Sequence, residues 1–219
     1  MSAQGQSFFQ ASGDGDAWCG SIWVPADSDY VTVVGGTELA MNGSGASYAS
    51  EAVWNRGYAP PGWSPNGNGY AGSGGGISDY VAIPAWQQPI ISMPNECGGS
   101  TSYRNIPDVA MVADNVLVVA NQGYGYSMAG TSIAAPLWAG FAALINQLLV
   151  QTGGYIGCMN YALYSFANRE DYSHGFHDIT TGNNINPCSH RMFPAIPGYD
   201  LCTGLGSPTA DLITLMTAY

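Results

Sequence analysis

Ser132 stands in the string Gly130-Thr131-Ser132-Ile133-Ala134-Ala135-Pro136, which opens the most apolar run of the chain. A serine at a glycine-led helix start faces first-turn N–H groups and the positive end of the helix dipole, both of which stabilise negative charge. That setting suits a nucleophile. It equally suits an ordinary capping serine, so the residue type alone does not decide between them. The second candidate is Asp14, in Ser12-Gly13-Asp14-Gly15-Asp16 directly after the short apolar run Ser7–Ser12. By itself this pattern reads as a strand running into a solvated turn or a cation loop.

Several elements must position these two residues. Tyr30–Thr37 (YVTVVGGT) is β-branched and closed by glycines, the pattern of a buried strand, and Val116–Ala120 reads as a strand leading through glycines and tyrosines to Ser132. Ile133–Val150 is an 18-residue stretch with only Asn146 and Gln147 strongly polar, which touches the length of a membrane span. Pro136, Gly140, the two amides and the lack of basic flanks instead predict the central helix of an α/β core, covered on most sides. Pro136 has no N–H, so the Ser132 carbonyl lacks its helical partner and the helix starts loosely. Glu38–Ala71 turns polar and loop-rich, with Glu51 and Trp54 spaced as on a short helical or hairpin element. Gly72–Gly76 lacks the Gly-Lys-Ser/Thr ending of a phosphate loop and reads as a flexible surface loop. Arg104 and Asp108, four apart, predict a polar anchor rather than a catalytic pair. Asp211–Tyr219 predicts a closing amphipathic helix.

The chain has 219 residues, enough for one domain or most of one. Four arginines and no lysine face fifteen acidic residues, for a formal charge of −11, which argues against nucleic-acid binding. In acid the carboxylates protonate and this self-repulsion fades, so the composition suits an acidic milieu. Thirty glycines and fourteen tyrosines on a 46% apolar background describe a loop-rich, globular, secreted protein. Cys19, Cys97, Cys158, Cys188 and Cys202 permit at most two disulfides, of undetermined pairing. Met1 is followed by polar residues, so an export signal is expected outside this sequence.

The string Gly-Thr-Ser-x-Ala-x-Pro resembles the nucleophile motif of subtilisin-like serine peptidases, and Gly130–Gln147 (GTSIAAPLWAGFAALINQ) is similar to the sedolisins, the serine-carboxyl peptidases. Ser12-Gly13-Asp14, Tyr30–Thr37, the glycines of 72–76, Pro84-x-Trp86-Gln87 and Arg104-x-x-Pro107-Asp108-Val109 resemble further segments of that family. The resemblance implies an α/β, subtilisin-like parallel sheet flanked by helices, present here as the C-terminal portion of a domain whose N-terminal part is missing. Residues 7–150 would hold the nucleophile and oxyanion segments, and 171–219 a calcium-site tail. It implies an endopeptidase acting on polypeptides through an acyl-enzyme on Ser132. Asp14 would then hydrogen-bond the oxyanion, which a carboxyl group does only when protonated, so an acid optimum follows. The family's general base is a glutamate helped by an aspartate, both upstream of the oxyanion aspartate. Only thirteen residues precede Asp14 and none is acidic, while Glu38 and Glu51 lie on the wrong side of it. The chain alone is therefore expected to be inactive.

The resemblance also implies one Ca2+, held by the carboxylates of Asp178 and Asp200 and the carbonyls of Ile179, Ile196 and Gly198. Hard oxygens from glycine- and proline-shaped loops suit that ion. Ile196 departs from the family, which usually has glycine there. Two other readings remain. One is a non-catalytic, calcium-stabilised extracellular binding or structural protein. The other is a lipase- or esterase-like hydrolase using Ser132, an aspartate and His190, although Ala134 stands where the Gly-x-Ser-x-Gly elbow needs glycine. His174, His177 and His190 all follow Ser132, the wrong order for a subtilisin-type base, and are expected on loops or the surface. Neither a nucleic-acid nor a membrane partner is expected.

Overall fold

The structure, a computed structural model, describes the whole chain except residues 61–68, 92–97, 168, 171, 188 and 190–192. In chain order the strands are β1 (Phe9–Ala11), β2 (Gly15–Ala17), β3 (Thr32–Asn42), β4 (Ser47–Val53), β5 (Asn55–Tyr58), β6 (Tyr70–Ala82), β7 (Tyr103–Ile106), β8 (Val109–Val112), β9 (Val116–Ala120), β10 (Tyr124–Met128), β11 (Phe176–His177) and β12 (Ser207–Pro208). The α-helices are α1 (Gln88–Ile91), α2 (Thr131–Leu149), α3 (Asn160–Phe166), α4 (Tyr172–Gly175) and α5 (Asp211–Thr217).

β3 organises the chain. Its first half, Thr32–Thr37, is fully buried and takes β1 and β8 as parallel neighbours, while β4 folds back antiparallel on its exposed second half. A second sheet is built on β6, which pairs with β2 in parallel and with β5 and β7 antiparallel. The expected parallel sheet is thus the β1–β3–β8 centre of a mixed arrangement, flanked by helices and extended by antiparallel hairpins that the sequence patterns did not separate from it.

α2 lies across the parallel centre. Ala134, Ala135, Trp138, Ala142 and Ile145 recur at helical spacing and are buried, and Trp138 Nε1 donates to the Ala110 carbonyl at 2.7 Å, pinning helix to β8. Together α2 and the 3-10 turn after it, Thr131–Thr152, are long and apolar enough to cross a membrane, and only 28% of an apolar 18-residue window within them is buried. The expectation of a helix covered on most sides is therefore corrected: its outer face, with Leu137, Leu144 and Leu148, is exposed. Beside that face, β1 pairs with β3 on one side, and among the described residues no strand pairs with its other edge.

The expected surface loop at Gly72–Gly76 is also overturned. These glycines form the buried first half of β6. Close backbone approach is the reason: a β-carbon on Gly75 would lie 1.7 Å from the Leu201 carbonyl oxygen, so only glycine fits between β6 and the C-terminal tail. Between them, Ser73 Oγ accepts from Gly36 N–H at 2.9 Å and donates to the Cys202 carbonyl at 2.7 Å, joining β3, β6 and the tail.

The Arg104–Asp108 anchor forms. Both side chains are fully buried, with Nη2–Oδ2 2.6 Å and Nη1–Oδ1 2.8 Å, and Asp108 also accepts from Val33 N–H and Tyr164 Oη, each at 2.8 Å. One bidentate pair thereby fixes β7, β3 and α3 together. His174 is exposed and His177, half-buried, stacks on Tyr48, so both match the expectation of non-catalytic positions; His190 lies outside the described residues. Cys19 is disulfide-bonded, whereas Cys158 and Cys202 carry thiols; Cys97 and Cys188 lie outside the described residues.

Candidate active site

The turn after β1 and the first turn of α2 meet at the C-terminal end of the parallel strands, the end where open α/β sheets collect their ligands. Gly130 precedes the helix at φ 144°, a conformation that favours glycine, and its amide donates to the Ala113 carbonyl at 2.8 Å just after β8. The helix start is thereby fixed to the sheet. Thr131 is fully buried beneath it, and Ser132 is exposed.

Asp14 reaches this helix start. Its Oδ1 accepts from the Thr131 amide and from Thr131 Oγ1, both at 2.6 Å, while Thr131 Oγ1 accepts from Gly13 N–H at 3.2 Å. Oδ2 accepts no hydrogen bond among the described residues and lies beside Gly130, where an added β-carbon would stand 3.1 Å away. With Oδ1 occupied by two donors, Oδ2 is the carboxyl oxygen left for a further partner. Thr131 carries this link and was not singled out from the sequence, although it sits inside the same heptapeptide.

Asp14, Thr131 and Ser132 line one cleft of about 250 Å³, whose opposite wall includes Trp18, Trp23 and Val24. The two residues singled out for chemistry, 118 positions apart, are therefore brought together. No other acidic residue and no histidine lines the cleft among the described residues. Ser132 has no base here.

The tail residues singled out for a cation also converge. Asp200 is fully buried; its Oδ1 accepts from Cys202 N–H and Thr203 N–H at 2.8 Å and from Thr203 Oγ1 at 3.1 Å, and its Oδ2 from Ile196 N–H at 3.1 Å. Burial pushes its carboxyl up to about 7 despite these donors. Asp178, more exposed, accepts from Gly198 N–H at 3.0 Å and from Tyr172 Oη at 3.4 Å. Asp178 thus holds the 196–200 loop at its middle, and Asp200 closes the loop back onto Ile196. No hydrogen bond reaches the carbonyls of Ile179, Ile196 or Gly198 among the described residues, and neither carboxylate has a basic partner among them. Nor does any group of three or more His, Cys, Asp or Glu stand together among those residues. The donor set is therefore two carboxylates with carbonyls that lack donors, which fits a hard cation better than zinc.

No protein-family model matches the chain. Kumamolisin of Bacillus sp. (strain MN-32) is 37% identical over 214 residues, spanning 94% of this chain and 35% of that protein. Sedolisin of Pseudomonas sp. (strain 101) is 31% identical, over 94% of this chain and 34% of its own length. Human tripeptidyl-peptidase 1 is 28% identical, over 94% and 36%. Among solved structures, Pseudomonas sedolisin, a serine-carboxyl proteinase complexed with two molecules of pseudo-iodotyrostatin, superposes with a TM-score of 0.74 at 30% identity, covering 100% of this chain and 56% of that one. The chain spans about a third of the length of these curated relatives. On sequence and fold together it belongs to the sedolisin family, and it corresponds to a part of those proteins.

Proposed function

We propose that this chain supplies the nucleophile and the oxyanion donor of a serine-carboxyl endopeptidase that cleaves polypeptides in acid. The observation that carries this reading is the shared cleft: Ser132 and Asp14 stand together, with Asp14 locked by Thr131 so that Oδ2 alone is left to donate. In the reaction, Ser132 Oγ bonds to the scissile carbonyl carbon as its proton passes to a base. The developing oxyanion takes a hydrogen bond from protonated Asp14 Oδ2. Collapse breaks the C–N bond, the amine leaves with a proton, and water then hydrolyses the acyl ester to regenerate Ser132. The resemblance assigns the base to a carboxylate from the upstream part of the domain, which this chain does not include. The open edge of β1 and the uncovered face of α2 support that assignment, because a parallel strand and its helix added there would end beside Ser132.

Two further features belong to the reading. One Ca2+ held by Asp178, Asp200 and the carbonyls of Ile179, Ile196 and Gly198 would tie residues 178–200 into one rigid loop pair. The disulfide at Cys19 and the low charge content support an extracellular, acidic setting.

The test is an assay on denatured protein substrate between about pH 3 and 6, the range in which carboxyl groups titrate. The chain alone should show no Ser132-dependent turnover. Mixed or co-folded with the upstream part of a sedolisin domain, it should gain turnover that Ser132→Ala abolishes. Turnover that survives Ser132→Ala would overturn the assignment.

A further inference from the structure

Asp16 has no role in the site described so far, and its surroundings are hostile to a charge. It sits in β2, two residues beyond Asp14, and is 2% exposed; both carboxyl oxygens are closed off from solvent, and neither has a hydrogen-bond partner among the described residues. Its φ of 58° lies in the left-handed region that glycine or asparagine would occupy with less strain. Oδ1 packs against β6, 1.9 Å from where a β-carbon on Gly72 would stand, and the Trp54 carbonyl oxygen is 2.8 Å from the same point.

No counter-charge faces it. β6 presents Gly72–Gly76 here, none of which titrates, and the tail meets β2 through the Asn184 carbonyl and the Asn186 side-chain amide. Asp14, the nearest acid along the chain, is turned to Thr131. An ionised Asp16 would be a buried unpaired charge, which costs far more than a buried neutral acid with an unmet hydrogen bond. Burial alone accordingly pushes its carboxyl up to about 7.

The place where this acid packs gives that cost a consequence. Gly72 N–H donates to the Asp14 carbonyl at 3.1 Å, Gly74 N–H to the Gly13 carbonyl at 2.7 Å, and Trp18 N–H to the Gly75 carbonyl at 3.0 Å. Residues 13–18 are thus seated on β6 by backbone hydrogen bonds on both sides of Asp16. Gly72, the residue against which Oδ1 packs, is also the one that holds the Asp14 backbone.

We propose that Asp16 is a pH latch on the Asp14 segment: as the neutral acid it stays packed on Gly72 and leaves residues 13–18 seated on β6, and as the carboxylate it pulls away and unseats them. Reading that segment as the oxyanion segment rests on the peptidase proposal. The latch itself does not. Because the folded-state value lies above the ordinary 3.8, the stability that Asp16 permits is fully present in acid and is lost as pH rises through about 7.

The experiment compares the intact chain with Asp16→Asn, which keeps the shape, tolerates the left-handed φ and cannot ionise. Urea unfolding is measured in steps between about pH 5 and pH 8, where this linkage operates. The ratio of the parent's unfolding constant to the variant's should rise about ten-fold or more across that range, every other titrating group being common to both chains. Hydrogen exchange then locates the effect. Protection of the Trp18, Gly72 and Gly74 amides should fall with rising pH in the parent while the buried turns of α2 keep theirs, and Asp16→Asn should hold all of them. If Asp16→Asn does not fold, Asp16→Gly, which relieves the backbone strain, takes its place. A ratio that changes less than ten-fold, or protection lost evenly over the whole chain, would overturn the latch. Absence of Ser132-dependent turnover from the complemented enzyme would overturn the peptidase reading and leave the latch standing.

Discussion

In the proposed peptidase, Asp14 and Ser132 would divide the chemistry between them. Oδ1 of Asp14 is spent on two donors from Thr131, so the side chain has a fixed orientation and, on the proposed reading, would offer Oδ2 to the oxyanion. In the complemented enzyme, Asp14→Ala should lower kcat/KM by about 10²- to 10³-fold, the usual effect of losing one oxyanion donor. Asp14→Asn keeps a donor and should recover part of this, with a weaker dependence on acid because an amide needs no proton to donate. Equal kinetics for the two variants, with equal pH profiles, would make Asp14 a structural residue. Resemblance to family motifs brought both residues to notice; read locally, Ser132 suits a helix cap and Asp14 a solvated turn or cation loop. Asp16 was legible only as part of a solvated turn. Its burial comes from β6, more than fifty residues away, and no local pattern encodes that.

Among the elements, the buried bridge from β7 to β3 and α3 invites a direct test. Arg104 keeps its charge in the interior because Asp108 faces it with two hydrogen bonds, and burial of both partners means that breaking one leaves the other stranded. Asp108→Asn should destabilise the chain by about 3–5 kcal/mol, read from urea unfolding, as expected for an uncompensated buried charge. A loss below about 1 kcal/mol, the scale of an exposed pair, would show that solvent reaches the site. The four-residue spacing of Arg104 and Asp108 announced this pair, and β-branched runs announced β3 and β9. The glycines of β6 pointed the other way, since glycine is poor in strands by intrinsic preference. What placed them in a buried strand is close contact with the 201–202 tail, a tertiary fact. α2 was legible as a helix from its long apolar run and glycine-led start, but apolar residues on both faces did not say which face this chain leaves bare.

At the scale of the molecule, the C-terminal tail closes the fold by threading past β6 and β8, and its two aspartates grip one loop. If Ca2+ binds there, adding it near neutral pH at about a hundred times its dissociation constant should stabilise the chain by roughly 2.7 kcal/mol and raise the melting temperature accordingly. The double variant Asp178→Asn/Asp200→Asn should lose that increment. No rise in the parent, or an equal rise in the variant, would rule the site out. The bare leucines of α2 and the open edge of β1 bear on how this chain behaves in a test tube. Near neutrality the excess of carboxylates opposes association of copies through that face and through the β1 edge, which is open among the described residues. At its isoelectric point of about 4.1 that repulsion is gone. The acidic range in which the proposed peptidase would work is thus the range in which the isolated chain should be least soluble, and a segment docked on that face and edge would act as its solubiliser.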